Sequence, residues 1–275
     1  MMDLALIGFG NIATTLLLLL NDTLDAPLDS LTVMVLPEFA EDTEARLERD
    51  FAGLAAARQV VTSVPALLEA RPDLLIECAG HAVVKAHLPE VLRSGVDTIL
   101  VSIGALADDG LHADLRAAAR EGDARLILPA GAVGGIDLLS ALGAAGGLEV
   151  TYRGTKPPKA WSGTPAEEAL DLDHLGERAI FFTGNAREAA TAYPKNANVA
   201  ATLALAGAGF EATRVELVAD PAAPGNMHEY EVSSPLARYS MRIENLPSAG
   251  NAKTSVSTVY SVLREIRNRI GPSAI

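Results

Sequence analysis

The chain has 275 residues, 49% of them hydrophobic and only 4% aromatic, with a formal charge of -13 at pH 7. That length buries a sizeable core in one large or two ordinary domains, and an Ala-, Leu-, Val- and Gly-rich apolar fraction suits helices packed closely on a parallel sheet. The acidic balance argues against a nucleic-acid partner, which clustered Lys and Arg would bind, and a lone cysteine, Cys78, excludes an intrachain disulfide or a cysteine-built metal cluster.

Apolar runs predict strands at residues 4–9, 31–36, 60–62, 74–79, 98–102 and 126–128, separated by amphipathic helical stretches that include 41–54 and 107–121. This alternation is the pattern of an α/β fold: an N-terminal Rossmann-type, doubly wound parallel sheet covered on both faces. The N-terminus enters its first strand without the basic region and cleavage site of an exported chain, and the Leu run at residues 16–20 is far shorter than the roughly 20 residues of a membrane span. A cytoplasmic protein that binds no membrane is expected.

The first strand runs into Gly8-Phe9-Gly10-Asn11-Ile12-Ala13, a G-x-G-x-x-A sequence that opens a helix. Gly8 would permit the tight turn, Gly10 the approach of a dinucleotide pyrophosphate, and Ala13 close packing of helix on strand. Backbone N–H groups around Asn11 and Ile12 would then face the phosphates. An ordinary structural turn is the competing reading, and the strand before and helix after favour the dinucleotide. Beyond the second strand, Glu38 is the candidate for the ribose 2′-hydroxyl of NAD, against a plain reading as an exposed carboxylate opening a helix. No Lys or Arg follows until Arg46, so NAD is preferred, with NADP as the other option.

Around Ala130 a glycine-rich stretch, residues 129–135, leads into a helical stretch at 136–145 and marks a domain boundary. The expected division is a dinucleotide-binding domain over 1–132, with a closing helix in 253–275 packing back on it, and an α+β substrate and dimerisation domain over 133–252. Within 148–220 the pattern gives one strand, a Pro-rich loop at 156–165, and helical stretches near Ala166, Arg187 and Val199. Antiparallel strands are then expected at 215–218, 229–233 and 238–244. The closing helix, 256–270, has Val256, Val259, Val262, Leu263 and Ile266 at helical spacing, with Arg toward its C-terminal end.

Of five histidines, His81, His87, His112 and His174 sit in no evident constellation. His228 lies in Pro224-Gly-Asn-Met-His-Glu229, read as a loop entering a strand, where a histidine could exchange a proton near neutral pH. Spacing alone leaves a solvated histidine at a strand start equally open.

Seven segments in order carry a resemblance across the chain: residues 8–13, 101–107, 131–135, 155–166, 193–201, 226–228 and 251–255. They resemble the motifs of L-aspartate dehydrogenases. The resemblance implies a Rossmann domain plus a domain carrying the substrate pocket and a homodimer interface, an active-site histidine at His228, and cofactor contacts at Ala132 and Asn198. The implied reaction interconverts L-aspartate and oxaloacetate plus ammonia through iminoaspartate, with NAD or NADP, a step that can feed NAD biosynthesis. A small residue at Ala132 would leave room at the sheet's carboxyl edge, and Asn198 can both donate and accept hydrogen bonds; a packing alanine and a helix-capping asparagine are the plain alternatives. Lys195, Lys253, Thr254 and Ser255 are weaker candidates for substrate carboxylates, against solvated surface residues. Trp161 either shapes the pocket or packs. Ala252 departs from the commoner Asn-Pro-Lys-Thr form of the last motif. The rivals are a related two-domain reductase, such as a homoserine dehydrogenase or dihydrodipicolinate reductase, and a non-catalytic NAD sensor.

Overall fold

The computed structural model describes residues 2–194, 196–245 and 255–274. Its first elements are β1 (Asp3–Ile7), α1 (Asn11–Thr23), β2 (Leu28–Met34), α2 (Ala40–Asp50), β3 (Ala55–Val61), α3 (Val64–Glu69), β4 (Leu74–Glu77), α4 (His81–Arg93), β5 (Asp97–Leu100), α5 (Asp109–Glu121) and β6 (Leu126–Ile127). The six strands form one sheet in the order β3-β2-β1-β4-β5-β6, parallel throughout. The doubly wound expectation is borne out. Because the order reverses between β1 and β4, their carboxyl ends open the crevice where such sheets take ligands.

The chain continues through α6 (Ile136–Gly143), β7 (Glu149–Lys156), α7 (Ala166–Ala169), β8 (Ala179–Asn185), α8 (Ala186–Ala192), α9 (Asn198–Ala206), β9 (Thr213–Ala219), β10 (Met227–Ser233), β11 (Arg238–Glu244) and α10 (Val256–Ile270). Contacts divide it into two units: Met1–Pro129 with Val259–Ile275, and Ala130–Thr258. In the first, Leu4 and Leu6 of β1, Leu16, Leu17 and Leu20 of α1, and Val259, Val262, Leu263 and Ile266 of α10 are buried in one cluster. The Leu-rich run of α1 is thus a core face. Among the described residues no helix is long and apolar enough to cross a membrane.

The second unit is built on a five-stranded sheet, order β11-β10-β7-β9-β8. Expectations are corrected here and in the first unit. The strand expected at 215–218 to be antiparallel is β9, which runs parallel to β7 and antiparallel only to β8; the intervening β8, α8 and α9 supply the crossover that a parallel neighbour requires. β8 itself was not anticipated, because a bulge between Ile180 and Phe182 breaks its alternation. That bulge lets adjacent Phe181 and Phe182 both reach Tyr193, at 5.6 and 5.5 Å between ring centres. In the first unit, the helix expected over 41–54 ends at Asp50, and β3 starts at Ala55 rather than residue 60. As an edge strand, β3 tolerates the polar Arg58 and Gln59.

Candidate functional site

The loop from β1 to α1 does what its glycines require. Gly8 has φ +96°, and a Cβ there would lie 3.0 Å from the Cβ of Ala79, so both conformation and space exclude a side chain. At Gly10 an added Cβ would meet nothing within 4 Å, and no side chain caps the helix it precedes. Asn11 and Ile12 form the first turn of α1, and Ala13 is fully buried beneath it. Gly8, Phe9 and Gly10 line an open cavity of about 490 Å³ together with Leu36, Phe39, Asp42, Arg46, Ser63 and Ala79. An open space beside free helix N–H groups is what a dinucleotide phosphate needs.

Glu38 is not in that lining. The chain turns at Pro37 into a short 3-10 turn, Pro37–Phe39, that leaves Glu38 exposed outside the cavity. Asp42 and Arg46 of α2 line it instead, 3.8 Å apart as an ion pair, with the guanidinium 4.8 Å from the centre of the Phe9 ring. The argument for NAD from Glu38 therefore lapses.

Glu77, unremarked in the sequence, is fully buried at the end of β4. Its carboxylate accepts hydrogen bonds from the N–H groups of Ala79, Gly80 and Ser102 and from the Ser102 hydroxyl, at 2.7–3.0 Å. It ties together the turns leaving β4 and β5. Next to it, burial pushes the Cys78 thiol well above its ordinary range, keeping it protonated.

His228 is not in an exposed loop. It is the second residue of β10 and only 4% exposed, and it pairs with Gly154 of β7 and Ile243 of β11. Period-two alternation puts Tyr152, Gly154 and Lys156 on the face that His228 shares. Tyr152 lies over Gly154, where a Cβ would sit 2.6 Å from its hydroxyl, and so reaches Nδ1 of His228 at 2.8 Å. The phenol has no other acceptor among the described residues, so it donates, and the neutral imidazole carries its proton on Nε2. Burial, then the neighbouring Lys156 charge, pushes His228 down to about 3.

Lys156 is 6% exposed. Its Nζ donates to Oδ1 of Asn196 at 2.7 Å and sits 5.0 Å from the centre of the Trp161 ring. Trp161 is fully buried and its indole N–H donates to the carbonyl of Val218 at 3.0 Å. Burial lowers the Lys156 ammonium to about 8. Sequence reasoning missed Tyr152, Lys156 and Asn196. The available signal was the alternation of Tyr152, Gly154 and Lys156 before the Pro-Pro pair.

The remaining candidates are placed as follows by the fold. Ala132 is buried in the turn after Gly131, and that turn is held to β10 by Tyr230, two residues beyond His228, whose hydroxyl donates to the carbonyl of Gly134 at 2.6 Å. Asn198 opens α9, two residues beyond the Asn196 that holds Lys156. Ser255 is buried just ahead of α10. Lys195, Lys253 and Thr254 lie outside the described residues. No cluster of His, Cys, Asp or Glu able to hold a metal ion occurs among the described residues.

Comparison with known proteins bears on both halves. Residues 137–269 match the family model for the aspartate dehydrogenase C-terminal region, and residues 8–129 the model for the homoserine dehydrogenase NAD-binding domain. The chain is 43% identical to an L-aspartate dehydrogenase of Ralstonia nicotianae over 98% of both chains, and 49% identical to one of Ruegeria pomeroyi over 80% of both. The crystal structure of aspartate dehydrogenase from Thermotoga maritima superposes with a TM-score of 0.75, at 29% identity, covering 100% of this chain and 99% of that one.

Proposed function

The chain belongs to the L-aspartate dehydrogenase family, and from that premise we propose that it interconverts L-aspartate with oxaloacetate and ammonia through iminoaspartate. The observation that carries this reading is the 43% identity to such an enzyme over 98% of the chain. The geometry agrees with it. Gly8, Gly10 and the first turn of α1 would hold the pyrophosphate of a nicotinamide dinucleotide, with Ala132 and Asn198 as further contacts. When bound, the cofactor supplies the hydride acceptor. The carrier would be NAD or NADP, and Arg46 in the cavity lining is the cation that would admit the extra 2′-phosphate of NADP. The setting is a cytoplasmic homodimer, with the reaction available to NAD biosynthesis.

His228 has a donor's role in this scheme. With Nδ1 engaged by Tyr152, its Nε2–H can hydrogen-bond the keto oxygen of oxaloacetate, or the hydroxyl formed when water adds to the imine carbon. A neutral imidazole serves as such a donor without having to lose its proton at working pH.

The purified protein should oxidise NADH or NADPH at a rate that depends on both oxaloacetate and ammonia. Oxidation with oxaloacetate alone would identify a hydroxy-acid dehydrogenase instead. Cofactor binding without turnover of any amino or keto acid would identify a sensor. Sedimentation of the same sample reads the dimer directly.

A further inference from the structure

We infer that Lys156 is the seat for a carboxylate of the substrate, its buried ammonium serving as the fixed counter-charge that selects an acidic amino acid. This rests on the aspartate dehydrogenase reading and names the group that would recognise its substrate class. Three observations carry it. Lys156 is nearly fully buried at the end of β7. No carboxylate among the described residues pairs with it: its partners are the neutral amide of Asn196 and the face of Trp161. It also shares a sheet face with His228, the residue proposed to address the reacting centre.

A buried cation without an anion is an unfavourable arrangement that a fold retains poorly unless a ligand completes it. Asn196 and Trp161 orient the ammonium without neutralising it. Asn196 occupies one of the three N–H donors, which leaves two for a carboxylate. The apolar packing that makes the charge costly when alone makes its attraction for a carboxylate strong when paired.

Protonation follows from the same surroundings. Among the described residues, the groups about Nζ are His228 from β10, with Tyr152 bonded to its ring, Trp161 and Asn196; its partner in register on β9 is Ala219. Of these only His228 and Tyr152 titrate, and both stay neutral between pH 6 and 9, because burial pushes the first down to about 3 and the second well above its ordinary value. With Lys156 at about 8 in the free protein, a bound carboxylate must raise it. Binding at pH 8.5 then takes up a proton, and binding at pH 6.5 takes up none.

The test uses succinate, an unreactive dicarboxylate, titrated calorimetrically into the wild-type protein at both pH values in two buffers of different ionisation enthalpy. Proton uptake at pH 8.5 that vanishes at pH 6.5 is expected; equal values at both would overturn the assignment. In Lys156→Met, succinate affinity should fall and the KM for oxaloacetate rise, each by about 100-fold. The kcat should fall far less, NADH affinity should stay unchanged, and Lys156→Arg should recover part of the loss. A merely structural lysine would instead lower the melting temperature on substitution, whereas removing an unpaired buried charge should leave it unchanged or raised. A fall in kcat with KM and succinate affinity intact would make Lys156 a proton carrier and defeat the proposal. If the wild type shows proton uptake with succinate yet never turns over aspartate, the carboxylate seat stands and the aspartate dehydrogenase reading falls.

Discussion

A single hydroxyl decides what His228 can do. Tyr152 donates to Nδ1, so the other ring nitrogen keeps its hydrogen, and burial removes the charged form from the working range. His228→Ala should lower kcat by about 10²- to 10³-fold, the usual cost of losing one donor to a developing oxyanion. It should also destabilise the protein by about 1–3 kcal/mol at pH 7, because the Tyr152 hydroxyl is left buried without an acceptor. The pH dependence has a definite sign. Unfolded, the imidazole keeps its ordinary value of 6.5; folded, it is pushed down to about 3. Between those values the unfolded chain binds a proton that the native chain does not, so stability is lost as pH falls from about 6.5 toward about 3. The alanine variant should lose melting temperature less steeply over that window than the wild type. Parallel curves would assign the acid limb to other groups.

At the scale of elements, legibility in the sequence tracks the distance over which each constraint acts. The turn from β1 into α1 was readable because Gly8, Gly10 and Ala13 state their requirements within six residues. The closing helix was readable because five apolar residues repeat at helical spacing. β8 was not, since its bulge is fixed by pairing with β9. The Tyr152–His228 contact was not either, because a register between strands 76 residues apart brings them together, and nothing near Met227 announces that the strand begins before the histidine. Gly10→Val tests the readable element. The structure offers the new side chain open space and a φ of -85° that valine accepts, so the far-ultraviolet circular dichroism and melting temperature should hold. NADH affinity should drop at least tenfold, because the isopropyl group occupies the approach of the pyrophosphate. Undiminished affinity in the folded variant would move the phosphate site elsewhere.

The whole molecule makes its first unit from both ends of the chain. β1 and β2 share one apolar core cluster with Val259, Val262, Leu263 and Ile266 of α10, which are synthesised after the entire second unit. The first unit's core therefore stays incomplete until the chain is nearly finished, and it joins residues from near opposite ends of the sequence. The second unit has a core of its own, including Tyr152, Trp161, Val215 and Leu217. Shortening one buried side chain of α10 should therefore act on one unit. Ile266→Ala should destabilise by about 2–5 kcal/mol, the range for removing a large apolar side chain from a packed core. Amide exchange should quicken in β1, β2 and β4 while β7 and β9 keep their protection. NADH near 100 times its dissociation constant should return about 2.7 kcal/mol, because its pyrophosphate seat exists only when the first unit is folded, and the exchange in β1 should slow accordingly. Equal acceleration in β7 and β9 would mean that the two units unfold together, and protection left intact in β1 would mean that α10 contributes little to the sheet it covers.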